Sequence, residues 1–285
     1  MQSYQIYLIA LLYNDFNKRL FMNILEAKML DILVDLYENH NVESIKAEFE
    51  AEGTRLEEAL RLKEIVTKAG LDLTIKIGGC EAIKDMYDAR AIGANTIVAP
   101  MIESSYALKK YVQALNFVFP QEERNQIKFL INIETISGFK NLDDIINSSE
   151  FYEINGITFG RSDMAGSMGL SKDKVDSDEI FNMAEIISLN MKNLNKDMVI
   201  GGNVSALSLE FFKKIPYLSR FETRKVIFNR EILNKNPLKS LSKALEFELM
   251  WQKNKLEFHE MMLNKDKIRL KLLEERYEKL TSSTF

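Results

Sequence analysis

Glu134 and Asp163 are the two carboxylates whose placement in this sequence best suits chemistry. Each follows a short run of β-strand character, Ile127–Ile133 and Gly156–Phe159, so both stand at strand ends. Neighbouring strands lie about 4.8 Å apart. Two carboxylates so placed can share one cation and leave its other positions to water and a ligand. No His or Cys stands beside them, so the donors are hard oxygens and the expected ion is Mg2+ or Mn2+. The competing reading is local, with Glu134 capping a helix and Asp163 making a turn.

Other strand ends add charge to the same rim. They are Glu50-Ala51-Glu52-Gly53, Lys76-Ile77-Gly78-Gly79, Pro100-Met101-Ile102-Glu103, Gly160-Arg161-Ser162-Asp163, Gly202-Asn203 and Glu222-Thr223-Arg224. Glu48, Glu50 and Glu52 share one face of a strand read over Val42–Glu52, because side chains alternate with a period of two. Three carboxylates there repel one another unless cations such as Lys76 or Arg224 pair with them, as a structural network or a catalytic one. Cys80 opens the helix after the second strand, a position that can suit a reactive thiol. As a lone cysteine it reads better as a small buried residue. His40 reads as a loop residue and His259 as a surface residue of the last helix.

The elements that must position these groups alternate. Strand patterns at Val42–Glu52, Leu73–Ile77, Thr96–Met101, Ile127–Ile133, Gly156–Phe159, Met198–Ile200 and Arg224–Phe228 are interleaved with helical ones. The helices are Arg55–Ala69, Glu81–Ile92, Tyr106–Phe117, Leu142–Ile146, Asp178–Asn193 and Leu207–Lys214. Such alternation predicts parallel strands with crossover helices, closed as a (β/α)8 TIM-type barrel, an α/β fold whose active sites lie at the C-terminal strand ends. Seven strands are visible, and the apolar run Ile6–Leu12 is a candidate eighth or an extra helix. The glycine pairs Gly78-Gly79 and Gly201-Gly202 do not spell the three-glycine dinucleotide fingerprint.

From about residue 236 the chain turns long, charged and helical, with leucines interspersed. This divides it into a barrel over residues 1–245 and a helical extension over 246–285, which packs on the barrel or on a second subunit. A homo-oligomer is therefore expected. The 285 residues suit one large domain, and the formal net charge of -4 argues against a nucleic-acid binder. The single cysteine excludes an internal disulfide and fits a reducing cytoplasm. Ile6–Leu12 lacks a basic leader and is too short to span a bilayer, so no membrane partner is expected.

Ile133-Glu134-Thr135, Gly138, Asn141-Leu142-Asp143-Asp144-Ile145, Gly156-Ile157, Gly160-Arg161-Ser162-Asp163-Met164 and Met168-Gly169 form an ordered set. Together with Ala99-Pro100-Met101-Ile102-Glu103-Ser104 upstream, this set resembles the central signature of the HpcH/HpaI aldolase/citrate lyase family. The match covers roughly residues 42–170. The resemblance implies that Glu134 and Asp163 are the metal ligands. It also implies that the backbone N–H groups of Ser162 and Asp163 hold a substrate carboxylate, and that Gly160 lets that backbone approach.

Three departures follow from the same comparison. The family's enolate-stabilising arginine falls on Lys76, which keeps the charge and loses the bidentate fork. Arg161 replaces a proline or small residue and adds a cation beside the metal ligand, suited to a second carboxylate or a phosphate. No histidine stands where some members carry an Asp–His base.

The implied reaction is metal-assisted aldol or Claisen-type cleavage of a 2-oxo acid such as pyruvate or oxaloacetate, with the ion as Lewis acid. Lys76 or Arg161 would stabilise the oxyanion, and Glu52 or a metal-bound water would move the proton. The rival readings are a phosphoenolpyruvate-type enzyme and a non-catalytic barrel acting as a binding or scaffold protein.

Overall fold

A computed structural model describes residues 19–282. The run Ile6–Leu12 lies outside the described residues. Helix α1 (Ile24–Asn39) starts at Asn23, whose side chain accepts from the Glu26 N–H while the Glu26 carboxylate accepts from the Asn23 N–H. That reciprocal cap satisfies two orphan donors of the first turn. The alternation then begins with β1 (Val42–Glu48), α2 (Leu56–Lys68), β2 (Asp72–Lys76), α3 (Ile83–Ile92) and β3 (Thr96–Ala99). Helices α4 (Ser105–Val118) and α5 (Gln121–Arg124) lead to β4 (Lys128–Ile133). Two short helices, α6 (Ile136–Lys140) and α7 (Leu142–Ile146), precede β5 (Gly156–Gly160). Next come α8 (Arg161–Ser167), α9 (Asp178–Leu194), β6 (Asp197–Gly201) and α10 (Ala206–Lys214). The last elements are β7 (Arg220–Glu222), β8 (Val226–Asn229) and α11 (Pro237–Ser282).

The eight strands close into one barrel in sequence order. β1 through β7 run parallel, while β8 is antiparallel to both β7 and β1. This corrects the sequence reading at one end of the barrel. The run Arg224–Phe228 is not a further parallel strand, and the eighth strand is Arg220–Glu222 rather than the N-terminal run. Residues Thr223, Arg224 and Lys225 are too few for a crossover to a parallel neighbour, so the chain can only fold back as a hairpin. β1 is also shorter than the expected Val42–Glu52. It stops at Glu48 and the chain turns through Phe49–Glu52, so only Glu48 of the three glutamates belongs to the strand.

The main apolar core lies between the barrel wall and the helices, fed by the outward residues of each strand, such as Ile45 and Ala47 of β1. The bore is different. Ser44 of β1 and Thr74 of β2 bond at 2.8 Å, and Val98, Leu130 and Val199 form a small apolar cluster apart from the main one. A cavity of about 50 Å³ lined by these residues remains below the charged layer. Among the described residues no helix is long and apolar enough to cross a membrane.

Helix α11 runs unbroken across residue 245. Its residues Leu241, Ala244, Phe247 and Trp251 are buried at a three-to-four spacing and hold it against the barrel. The anchoring stretch thus extends into the segment assigned to the extension.

Candidate active site

The inward residues of β1, β2, β4 and β7 bring opposite charges together at the C-terminal end of the bore. Lys46 Nζ lies 3.0 Å from Glu48 Oε1 and 2.5 Å from Glu222 Oε1. Burial pulls the Lys46 ammonium down, but Glu222 and Glu48 outweigh it and hold its pKa above the ordinary lysine value. Glu48 is the mirror case. Burial raises it, and Lys46, Lys76 and Arg224 together bring it below the ordinary carboxylate value. Lys76 then links this group to Glu134, with Nζ 3.4 Å from Oε2.

Glu134 is 2% exposed and held from three sides. Its Oε1 accepts the Met101 N–H at 3.1 Å, and its Oε2 accepts the Asn132 amide at 2.9 Å. Met101 makes that bond from a left-handed backbone, φ 48°, which is uncommon for a residue with a side chain. Burial raises the Glu134 carboxyl above its ordinary pKa. Lys76 and the Asn132 amide pull it back, and the neighbouring Asp163 pushes it up again. Glu134 and Asp163 are therefore within electrostatic reach of each other, as their strand ends require.

Gly160 makes that juxtaposition possible. A Cβ at Gly160 would stand 2.6 Å from Glu134 Oε2 and 2.8 Å from Glu134 Cβ. What this glycine makes room for is the Glu134 carboxylate. Gly160→Ala is therefore expected to displace Glu134 and reduce turnover at least tenfold while the unfolding transition moves little. Steady-state rates and a thermal melt on the same preparation check this. Gly202 has a related duty. At φ 91° it seats the turn after β6 against the start of α8, where a Cβ would lie 2.6 Å from the Ser162 N. Ser162 and the exposed Asp163 occupy that first turn of α8.

The residues suit a hard divalent cation. The bore holds three carboxylates, Glu48, Glu134 and Glu222, against two ammonium groups, Lys46 and Lys76, and Asp163 adds a fourth negative charge. Each Glu134 oxygen accepts hydrogen bonds but keeps lone-pair capacity. Among the described residues no three His, Cys, Asp or Glu side chains cluster as a cage. Two carboxylates with water filling the remaining positions is how Mg2+ is commonly held.

Two of the expected catalytic groups lie elsewhere. Arg161 is fully buried, with its side chain turned away from Glu134. Its Nε donates to the Gly201 carbonyl at 3.0 Å, Nη2 donates to the Gly202 carbonyl at 2.7 Å, and Nη1 pairs with Asp176. The guanidinium also stacks over the Phe211 and Phe212 rings. Burial lowers its pKa to about 10 against the pull of Asp176. The structure does not bring Arg161 to Glu134; its side chain ties α8 to the end of β6 and to α10. Glu52 turns to Lys225 at 2.7 Å across the barrel rim and makes no contact with Lys76, Glu134 or Asp163. His40 caps α1 and is buried, with Nδ1 2.7 Å from Ser240 Oγ, and His259 bonds Glu58 at 2.8 Å. Neither histidine reaches the site. Cys80 is partly buried against the core.

Sequence reasoning passed over Lys46 and Asn132, and placed Glu222 and Met101 at strand ends without giving either a role. Period-two alternation could have placed Lys46 with Glu48, and Asn132 with Glu134. The backbone twist at Met101 has no signal in the sequence.

The sequence profile of the HpcH/HpaI aldolase/citrate lyase family matches residues 31–200, more than half of the chain. The chain belongs to the HpcH/HpaI aldolase/citrate lyase family. It is thereby an enzyme of the carbon–carbon lyase type. No curated protein matches the sequence. Solved structures share the fold at low identity. The citrate synthase SbnG aligns at 16% identity and TM-score 0.55, over 76% of this chain and 89% of that one. An HpcH/HpaI aldolase/citrate lyase family protein from Burkholderia cenocepacia J2315 aligns at 14% and TM-score 0.57, over 78% and 89%. The HpcH/HpaI aldolase from Desulfitobacterium hafniense DCB-2 aligns at 14% and TM-score 0.54, over 75% and 88%. At these identities the likeness is one of barrel architecture.

Proposed function

We propose that this lyase is metal-dependent and cleaves or forms a carbon–carbon bond next to the keto group of a 2-oxo acid such as pyruvate or oxaloacetate. The observation that supports this reading most is the buried Glu134 carboxylate just after β4, held by Lys76 and within electrostatic reach of Asp163 in the first turn of α8. Two carboxylates that repel each other gain from a cation between them. Glu134 and Asp163 would hold Mg2+ or Mn2+. When bound, the ion supplies Lewis-acid stabilisation of the enolate that forms as the carbon–carbon bond breaks.

The chain's own groups do the rest. Ser162 and Asp163 present backbone N–H groups at the first turn of α8, where a substrate carboxylate is stabilised by unpaired donors. Lys76 places an ammonium in the bore beside Glu134 and can donate to the developing enolate oxygen. Arg161 fixes the start of α8 from behind, so the substrate-facing amides keep their aim. Glu52 remains a candidate proton carrier only if it leaves Lys225.

The direct test is turnover. The purified protein with Mg2+ or Mn2+ is incubated with oxaloacetate, and separately with pyruvate and an aldehyde, and pyruvate is followed. The expected result is a metal-dependent change that chelation stops and Mn2+ restores. Turnover unaffected by chelation would refute the metal-dependent reading. No turnover under any of these conditions would favour the non-catalytic barrel.

A further inference from the structure

β8 returns antiparallel to β7, so the chain turns back at the C-terminal mouth of the barrel through Thr223, Arg224 and Lys225. A parallel eighth strand would need a long crossover there; here a tight hairpin stands at the mouth itself. The residues on either side of Arg224 are pinned. The Lys225 carbonyl accepts the Lys46 N–H of β1 at 2.7 Å, and the Thr223 N–H donates to the Val226 carbonyl at 2.9 Å. Thr223 Oγ1 and the Lys225 N–H both donate to Glu248 Oε1 of α11, at 2.6 and 2.9 Å. Lys225 Nζ lies 2.7 Å from Glu52 Oε2 and 5.4 Å from the centre of the Trp251 ring. β1, α11 and the turn after β1 thus hold the hairpin that carries Arg224.

Arg224 itself is left open. Its side chain is 60% exposed, whereas those of Lys46, Lys76 and Lys225 are largely buried. Among the described residues its one partner is Glu48 Oε2 at 3.5 Å, the long limit of a hydrogen bond. Glu48 already has Lys46 at 3.0 Å on its other oxygen. A guanidinium carries five N–H donors in a planar fork, so most of this one's capacity is unused. The other cations near the bore are engaged. Lys46, Lys76 and Lys225 each sit on a carboxylate, and Arg161 is turned towards α10.

Position adds to exposure. In a barrel closed in sequence order, β8 lies four strands from β4 in either direction. The β7–β8 hairpin therefore stands across the mouth from Glu134, which follows β4, and Glu48 and Lys76 pair side by side on β1 and β2 between them. A substrate whose 2-oxo acid end sits at Glu134 and the first turn of α8 extends its other end towards Arg224.

We propose that Arg224 determines specificity by binding a second carboxylate of the substrate, at the end remote from the keto group. This rests on the metal-dependent 2-oxo acid reading above and adds that the carbonyl partner is itself an acid. A carboxylate matches the planar fork of the guanidinium in bidentate fashion, and beside Glu48 it meets less repulsion than a doubly charged phosphate. In the condensation direction pyruvate gives up one C3 proton, its C3 electron pair bonds the aldehyde carbon, and the aldehyde oxygen takes a proton, so no other reactant is consumed.

The test is steady-state condensation of pyruvate, with Mn2+ present, onto glyoxylate, glycolaldehyde and glycolaldehyde phosphate by the wild type, Arg224→Gln and Arg224→Lys. The wild type is expected to favour glyoxylate over either other aldehyde by about tenfold or more in kcat/KM. Arg224→Gln is expected to lose about 10- to 100-fold in kcat/KM for glyoxylate, mostly through KM, as befits a lost charge-assisted hydrogen bond, and to leave glycolaldehyde nearly unchanged. Arg224→Lys keeps the charge without the fork and is expected to fall between the two. An equal loss with all three aldehydes would make Arg224 a partner of Glu48 alone and overturn the proposal. A wild type that prefers the neutral or the phosphorylated aldehyde would overturn it too. If the wild type condenses none of the three, the 2-oxo acid reading fails and the assignment of Arg224 falls with it.

Discussion

Lys76→Met is expected to lower kcat about 10²- to 10³-fold, the range found when one donor to a developing oxyanion is removed. The ammonium stands 3.4 Å from Glu134 Oε2 and shares the bore with Glu48. It does two things that the substitution separates. On the proposed reaction it would supply a positive charge where the enolate oxygen develops, and it would compete with a cation for the Glu134 carboxylate. Loss of the first lowers kcat, whereas loss of the second leaves Mn2+ affinity equal or tighter. Metal titration and steady-state kinetics on the same variant distinguish the two. Were kcat retained with only a modest change in KM, Lys76 would be a partner for the bore glutamates and nothing more.

Arg161→Met is expected to destabilise the fold by about 3–5 kcal/mol, the usual cost of breaking a buried ion pair from one side. Arg161 is fully buried, and its guanidinium bonds Asp176 and the Gly201 and Gly202 carbonyls. The variant leaves two carbonyls and a carboxylate without their donors. Arg161→Lys keeps the charge but cannot span the same acceptors, so it too loses stability. Equilibrium denaturation in urea reads both. A group that touched substrate would behave otherwise: Arg161→Lys would unfold like the wild type and show a raised KM.

The barrel was legible where strands are apolar runs bounded by turns. β2 ends in Lys76, β5 in Gly160, and β4 is followed at once by Glu134, so their positions and the order of their helices could be read directly. β7 could not. Arg220–Glu222 is three residues with a charge at each end, and its strand character comes from pairing with β6 and β8. At the site, Glu134 directly follows β4 as read, whereas Asp163 falls in the first turn of α8 rather than at the end of β5. Arg161 turns from Glu134 for a plain reason. Its position beside Asp163 suggested a shared pocket, but its side chain is claimed by Asp176 and by the turn after β6, contacts set by tertiary structure and not by spacing. Glu52 was misplaced for a similar reason, since β1 stops at Glu48 and the following turn carries Glu52 to Lys225.

The central claim is that Glu134 and Asp163 share one divalent cation. Calorimetric titration of Mn2+ into the wild type, Glu134→Gln and Asp163→Asn tests it most directly. The account predicts one ion bound by the wild type, with binding lost or at least tenfold weaker in each variant. Both variants should melt at or above the wild-type temperature without metal, because each relieves the repulsion between the two carboxylates. Equal Mn2+ affinity in all three proteins would contradict the account and move the metal site elsewhere.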